Sequence, residues 1–199
     1  MAIPINIKEL FEQHGFVMRT AELRAARIHY ADIQRLINDG QIEKVKQGYY
    51  HWIEGAKAGE AAIIKRLYPD AVICMETALF YYGYSDRTPG AWHLAVDKNI
   101  ARYRVPINYP FVKIYYHEPD VLALGLTQGD FNGTRLNIYD RDRCICDCLR
   151  YMHKMDREIF NKAIQGYVND TKKNIPNLIR YAEALRAKVK LKNIIEIWL

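Results

Sequence analysis

Apolar residues at Ile7, Leu10 and Phe11 recur at helical spacing and stop before Gly15, which predicts a short amphipathic helix over Ile5–His14 with a glycine terminus. The Thr20 hydroxyl can cap a second short helix over Ala21–Ala26. After a turn at Arg27 and Ile28, the spacing of Ile33, Leu36 and Ile37 predicts a third helix over His29–Asn38, closed at Gly40. The pattern then changes to that of a hairpin. Ile42, Val45, Tyr49 and Trp52 supply its apolar positions, and Gly48 after Gln47 accepts the positive backbone angle of a tight turn. A two-stranded ribbon this small is barely stable alone, so it is expected to pack on the three helices. That arrangement predicts a winged helix-turn-helix, in which the third helix enters the DNA major groove and the ribbon lies along the sugar-phosphate backbone.

Small residues fill the stretch from Ile53 to Glu60, and the domain boundary is placed there: a DNA-binding domain over residues 1–55 and a second domain over residues 60–199. In the second domain helices are expected at Glu60–Leu67 and Glu76–Tyr82, and strands at Ala71–Cys74, His93–Val96, Val112–Tyr116 and Leu136–Tyr139. The last quarter reads as helical throughout. Asp140 or Asp142 can cap a helix running to about Lys154, Asp156 can start another through Tyr167, and two more follow near Ile175–Ala187 and Val189–Trp198. The fold class expected is α+β, a mixed α/β layer ending in a helical group behind the winged helix.

Charge changes this picture by its distribution. The net charge is +6, yet residues 1–55 carry seven basic and seven acidic side chains, so the excess lies entirely in residues 56–199. Within Lys172–Lys192 seven basic residues stand against Glu183 alone, and Lys172, Lys173, Arg186, Lys188, Lys190 and Lys192 form a candidate second basic surface. A solvated helical face is the ordinary explanation for such lysines. In the first domain His29, Tyr30, Gln34 and Arg35 are the candidates for base edges, with Arg35 suited to guanine, Gln34 to adenine and Asp32 to the helix N-terminus. Arg19, Arg24 and Arg27 flank the helices, and Lys44 and Lys46, two apart on a strand, are expected on one face of the wing. These cations would hold phosphates and make binding salt-sensitive. Local neutrality points to two copies on two operator half-sites.

The longest apolar-rich stretch, Ala71–Tyr84, is interrupted by Glu76 and falls short of the roughly 20 apolar residues that a spanning helix needs. No charged-then-apolar leader opens the sequence, so a cytoplasmic protein with no membrane partner is expected. Cys74, Cys144, Cys146 and Cys148 read as buried thiols, because three of the four crowd into five residues and cannot all face one metal from a helix.

Gly48-Tyr-Tyr50, Thr77-Ala-Leu-Phe-Tyr-Tyr-Gly83 with Asp86 and Pro89, Trp92-His-Leu-Ala-Val96, and Ile138-Tyr-Asp-Arg141-Asp-Arg143-Cys144-Ile-Cys146-Asp147, taken in this order and spacing, resemble the AbiEi family of antitoxins. The tail from Tyr151 through Phe160, Leu178, Tyr181 and Leu185 to Trp198 is similar to the same family, so the likeness covers nearly the whole chain. The resemblance implies a bacterial transcriptional regulator from an abortive-infection toxin–antitoxin pair, a phage-defence system. Its winged helix would repress its own operon at inverted operator repeats. Its second domain would counteract a nucleotidyltransferase-like toxin by opposing the toxin's effect rather than by forming a stable complex.

Two other readings compete. One is a stand-alone repressor whose second domain senses a ligand or dimerises. The other is a metal-dependent nuclease built on Asp70, Asp97 and Lys98, but Asp97 and Lys98 are adjacent where an acidic-x-Lys triplet is wanted. No phosphate loop, nucleophile elbow or zinc helix is present, so neither catalysis nor a cofactor or bound metal is expected.

Overall fold

The first reversal of the chain sets the layout of everything up to Pro69. In the computed structural model, which describes residues 6–53, 59–100, 107 and 109–195, α1 (Ile7–Gln13) runs into Gly15 and Phe16, both at positive φ. The turn lets the Phe16 N–H donate to Phe11 O at 2.6 Å and delivers Val17–Arg19 as a strand, β1. Three residues are too few for alternation to register, which is why the sequence pattern gives no sign of β1. The hairpin of β2 (Ile42–Lys46) and β3 (Tyr49–Trp52) forms as expected, and β1 joins it in a three-stranded sheet of order β1-β3-β2. This third strand explains how so short a ribbon holds its shape.

The expected cap at Thr20 is corrected. Thr20 is the first residue of α2 (Thr20–Ala25), and the Glu22 carboxylate accepts from the Arg19 N–H at 2.7 Å. The Thr20 hydroxyl turns instead to the hairpin and donates to Gly48 O at 3.3 Å, beside the Thr20 N–H on the same carbonyl at 2.9 Å. Arg27 reverses the chain at positive φ while buried Ile28 anchors the turn, and α3 (Tyr30–Asn38) follows. Its end is closed by Gly40 at φ +70, whose N–H donates to Ile37 O.

One side of the small sheet and the three helices enclose Phe11, Met18, Leu23, Ile28, Ile33, Leu36, Ile42, Tyr50 and Trp52. A second cluster joins Val17 and Val45 to Ile63 of α4 (Glu60–Leu67). The segment expected to begin the second domain therefore packs on the sheet of the first unit, tied further by an Arg66–Glu22 ion pair. Tyr50, rather than the expected Tyr49, is the buried tyrosine of β3. Tyr50 and Trp52, two apart on β3, share the main core, while Tyr49 packs with Val17, Val45 and Ile63. On β2 a β-bulge pairs Lys44 with Tyr50 and Lys46 with Tyr49, leaving Val45 as the extra residue. Because Tyr49 and Tyr50 point to opposite faces of β3, Lys44 and Lys46 do so on β2, contrary to the one-face expectation.

The described residues divide into two units, the first within Met1–Pro69, Ala101–Phe111 and Asp130–Arg135, the second within Asp70–Ile100, Val112–Gly129 and Leu136–Leu199. A five-stranded mixed sheet falls in the second unit except at residues Asp130–Arg135. Its strands are β4 (Val72–Ile73), β5 (Trp92–Asp97), β6 (Val112–His117), β7 (Leu126–Phe131) and β8 (Thr134–Tyr139), in the order β6-β5-β4-β8-β7. β4 runs antiparallel to β5 and parallel to β8, and β5 is parallel to β6. Helices α5 (Met75–Tyr81) and α6 (Pro119–Ala123) interrupt the strands, and α7 (Arg141–Tyr151), α8 (Arg157–Asn169), α9 (Ile175–Ala184) and α10 (Lys188–Ile195) close the chain. Ten α-helices and two sheets among the described residues make the fold mixed α+β. The sequence pattern does not flag α6, five residues long, or β7, mostly exposed and without alternation. Arg186 at positive φ ends the α9 segment earlier than expected, and Trp198 lies outside the described residues.

Helix α7 is the axle of this unit. Every side chain from Asp142 to Leu149 is buried, Cys144, Cys146 and Cys148 among them, and Cys74 is buried too, as expected. Asp140 caps the helix by accepting from the Arg143 N–H at 2.8 Å. Asp142 Oδ1 accepts from the Tyr167 hydroxyl at 2.7 Å and from the Asn174 N–H at 2.8 Å, which fastens α8 and the start of α9 to it.

Candidate nucleic-acid interface

The exposed side of α3 follows from its buried one. With Ile33 and Leu36 in the core, Tyr30, Ala31, Gln34, Arg35 and Asn38 fall on one outward stripe, with positions three, four and five apart. Tyr30 is 73% exposed, Ala31, Arg35 and Asn38 are exposed, and Gln34 is half-buried. The stripe carries no carboxylate. Asp32 is turned toward the helix start, where its Oδ2 accepts from the His29 N–H at 3.1 Å, the role expected of it at the N-terminus. Its Oδ1 also lies 3.5 Å from an Arg35 guanidinium nitrogen, a long pair that leaves the guanidinium 64% exposed.

The other expected contacts are distributed around this stripe. His29, the residue before α3, is exposed, as are Arg24 and Arg27 at the end of α2 and in the turn that follows. Arg19 at the end of β1 is exposed and lies over the Tyr49 ring, its guanidinium carbon 5.3 Å from the centroid. Lys44 is exposed, whereas Lys46 is half-buried on the opposite face of the ribbon. Sequence reasoning named Tyr30, Gln34 and Arg35 but not Ala31 and Asn38, which the same helical spacing would have added.

The acidic side chains of residues 6–53 lie mostly off the stripe, except that Asp39, exposed and four residues after Arg35, stands at its C-terminal end. Burial works against the Glu22 carboxylate, but the Arg19 N–H and the Arg66 guanidinium hold its pKa below the ordinary range. Glu43 Oε1 sits 3.1 Å from His51 Nδ1. Glu9 and Glu12 are on α1 and Asp39 is the C-cap of α3. Formal neutrality of residues 1–55 thus conceals an uneven surface, with cations gathered around the head of α3.

The six cations expected to form a second basic surface do not act alike. The Lys173 ammonium donates to Val168 O at 2.7 Å and Lys190 to Arg150 O at 3.2 Å, each satisfying carbonyls at the end of a helix. Lys188 is 2.6 Å from Glu183. Lys172, Arg186 and Lys192 are exposed.

Much of the motifs singled out in the sequence is interior, although Phe80, Tyr81, Gly83 and Asp86 are exposed. Thr77 Oγ1 accepts from the His93 N–H at 2.9 Å and donates to Ala91 O at 3.3 Å; the Tyr82 hydroxyl donates to Tyr139 O at 2.9 Å. Arg143, fully buried, reaches Val121 O and Leu124 O at 2.7 Å each, pairs with Asp147 at 3.2 Å and lies 4.0 Å from the Tyr139 ring centroid. Burial raises the Asp147 carboxyl and the Arg143 and Arg150 guanidiniums pull it back. Burial also depresses His93 and His117 to about 4, assisted by Lys113 for the first and by Arg143 and Arg150 for the second. Of the nuclease candidates, Asp70 is exposed, Asp97 closes a turn by accepting from the Asn99 N–H at 2.8 Å, and Lys98 pairs with Glu118 at 2.6 Å. No group of three metal-ligating side chains occurs among the described residues. Nor is any described helix long and apolar enough to cross a membrane.

Comparison of the chain with protein-family models and with curated proteins gives no match.

Proposed function

We propose that the chain is a cytoplasmic DNA-binding regulator whose residues 7–52 act as a winged helix-turn-helix, with α3 in the major groove and the β2–β3 ribbon beside the backbone. The observation that carries the reading is the outward stripe of α3, in which Tyr30, Ala31, Gln34, Arg35 and Asn38 include no carboxylate, in a unit where Arg19, Arg24, Arg27, His29 and Lys44 are also exposed. A surface of that composition suits a polyanion read along a groove. The two hydrogen bonds that Thr20 donates, from its N–H and its hydroxyl, to the Gly48 carbonyl support it, because they hold the ribbon's turn against the start of α2. Following the AbiEi likeness, we assign the chain the role of autorepressor and antitoxin in an abortive-infection operon. It would act on inverted operator repeats and against a nucleotidyltransferase-like toxin, with no catalysis of its own.

Two experiments test the two halves. Fluorescence anisotropy with a duplex from the chain's own promoter region and a scrambled duplex should give Arg35→Ala a loss of about 1–3 kcal/mol in preference for the promoter. Lys44→Ala should weaken both duplexes alike and lower the salt slope by about one. Absence of any preference in the unaltered chain removes the operator reading. For the antitoxin half, the triple variant Arg24→Ala, Arg27→Ala, Arg35→Ala should lose promoter binding yet still protect cells expressing the adjacent nucleotidyltransferase-like gene from a foreign promoter. If neither the variant nor the unaltered chain protects, the antitoxin assignment is wrong.

A further inference from the structure

The composition of the α3 stripe allows a statement about which base it reads. Its middle and end are polar, Gln34, Arg35 and Asn38, but its head is an aromatic ring beside a methyl group, Tyr30 and Ala31. Among the described residues of α1 to α3, Tyr30 is the one large hydrophobic left exposed, at 73%. The core of its unit is already filled by Ile33 and Leu36 from this helix, so the ring has no place to fold back. The face of the Tyr30 ring and the Ala31 methyl offer phosphate oxygens no donor, whereas the Tyr30 hydroxyl at the ring's tip does. Exposed cations suited to phosphates stand nearby in the sequence, Arg24 in α2 and Arg27 in the turn before α3. Of the groups that base pairs present in the major groove, one is apolar: the C5 methyl of thymine.

We propose that Tyr30 and Ala31 are thymine-methyl readers at the head of α3, giving the protein a preference for thymine one or two base pairs from the polar contacts of Gln34 and Arg35. Residues 30 and 31 lie one helical turn before 34 and 35, so the two pairs meet neighbouring base steps. This inference rests on the DNA-binding reading above and deepens it. Its nearest rival is that the Tyr30 hydroxyl simply donates to a phosphate, in which case the ring is incidental.

The test keeps the protein intact. The unaltered full chain is used to recover its tightest duplex from a random-sequence pool, and each thymine of that duplex is then replaced singly by deoxyuracil, which removes the methyl and keeps every hydrogen-bonding group. At one or two positions the dissociation constant should rise by about 3- to 10-fold, the worth of one or two buried methyl contacts. Tyr30→Phe should keep that discrimination, and Tyr30→Ala should lose it at one of those positions while retaining the thermal midpoint of the unaltered chain. Indifference of the unaltered chain to every deoxyuracil, with tight binding preserved, overturns the thymine proposal and leaves the DNA-binding reading standing. Loss of discrimination in Tyr30→Phe equal to that in Tyr30→Ala overturns it in favour of the hydroxyl. Failure to enrich any duplex overturns both.

Discussion

The two units handle charge in opposite ways. In the first, the main core is apolar or aromatic and the arginines and lysines stand outside. In the second, an arginine, two aspartates and two histidines are buried along with the cysteines of α7. A buried charge is costly unless it is paired and hydrogen-bonded, so it persists where it organises the backbone around it. Arg143 does so by holding the carbonyls of Val121 and Leu124, as Asp142 does for Asn174. The Asp-Arg helix start that catches the eye in the sequence is therefore architecture. The less conspicuous stripe of α3, assembled from unrelated side chains, lies largely exposed.

The sharpest way to break this contrast is at Arg143. Arg143→Ala leaves the buried Asp147 carboxylate without its partner and two carbonyls without their donor, and should cost about 3–5 kcal/mol in urea unfolding of the full chain. Arg143 Nη2 and Asp147 Oδ1 have no protein partner even in the intact pair, so the pair is not ideally satisfied. The double variant Arg143→Met, Asp147→Leu should then be less destabilised than Arg143→Ala. A double variant equal to or worse than the single would mean that the pair itself, rather than the orphaned charge, sets the cost.

Acid should separate the units next. His93 and His117 titrate near 4 when folded, against an ordinary value of 6.5. Between those pH values the unfolded chain binds protons that the folded chain refuses, so stability is full above about 6.5 and falls as pH drops toward 4. The loss should approach about 3 kcal/mol for each histidine. Urea midpoints measured from pH 7 down to pH 5 should decline, and His117→Gln should flatten the decline; an unchanged slope in that variant would show that His117 is not its source. A smaller effect is expected at Gly125, at φ +74, where an added Cβ would stand 2.6 Å from Arg143 Cβ. Gly125→Ala should cost about 2 kcal/mol through backbone strain and displacement of the arginine.

How much of this the sequence discloses depends on whether the controlling geometry is local. The stripe of α3 is legible because helical period alone, fixed by Ile33 and Leu36, decides which residues face out. The helix caps at Asp140 and Asp156 are legible for the same reason. The bulge at Val45 is not, because register between strands is set by pairing, and one extra residue sends Lys46 to the face opposite Lys44. Nor is the burial of Arg143 and Asp147, since charged residues at a helix start are ordinarily solvated and only distant carbonyls at Val121 and Leu124 make them interior. The motifs from which the sequence suggests a family resemblance include many of these interior residues and none of the outward stripe of α3.

The last comparison sets one ion pair against another of the same chemistry. Arg66 pairs with Glu22 across α4 and α2, much as Arg143 pairs with Asp147, but both side chains are about three-tenths exposed, against nearly none in the buried pair. Water screens the outer pair and can solvate either partner when the other is removed, so its loss leaves no stranded charge. Arg66→Ala should therefore cost less than about 1 kcal/mol, several-fold below Arg143→Ala, and raising salt to 1 M should shrink the difference between Arg66→Ala and the unaltered chain. The same salt should leave the cost of Arg143→Ala unchanged, because no ions enter a fully buried site. If Arg66→Ala instead matched Arg143→Ala in cost, α4 would be held to the small sheet by that pair rather than by Ile63, and the first unit would share the second's dependence on charge.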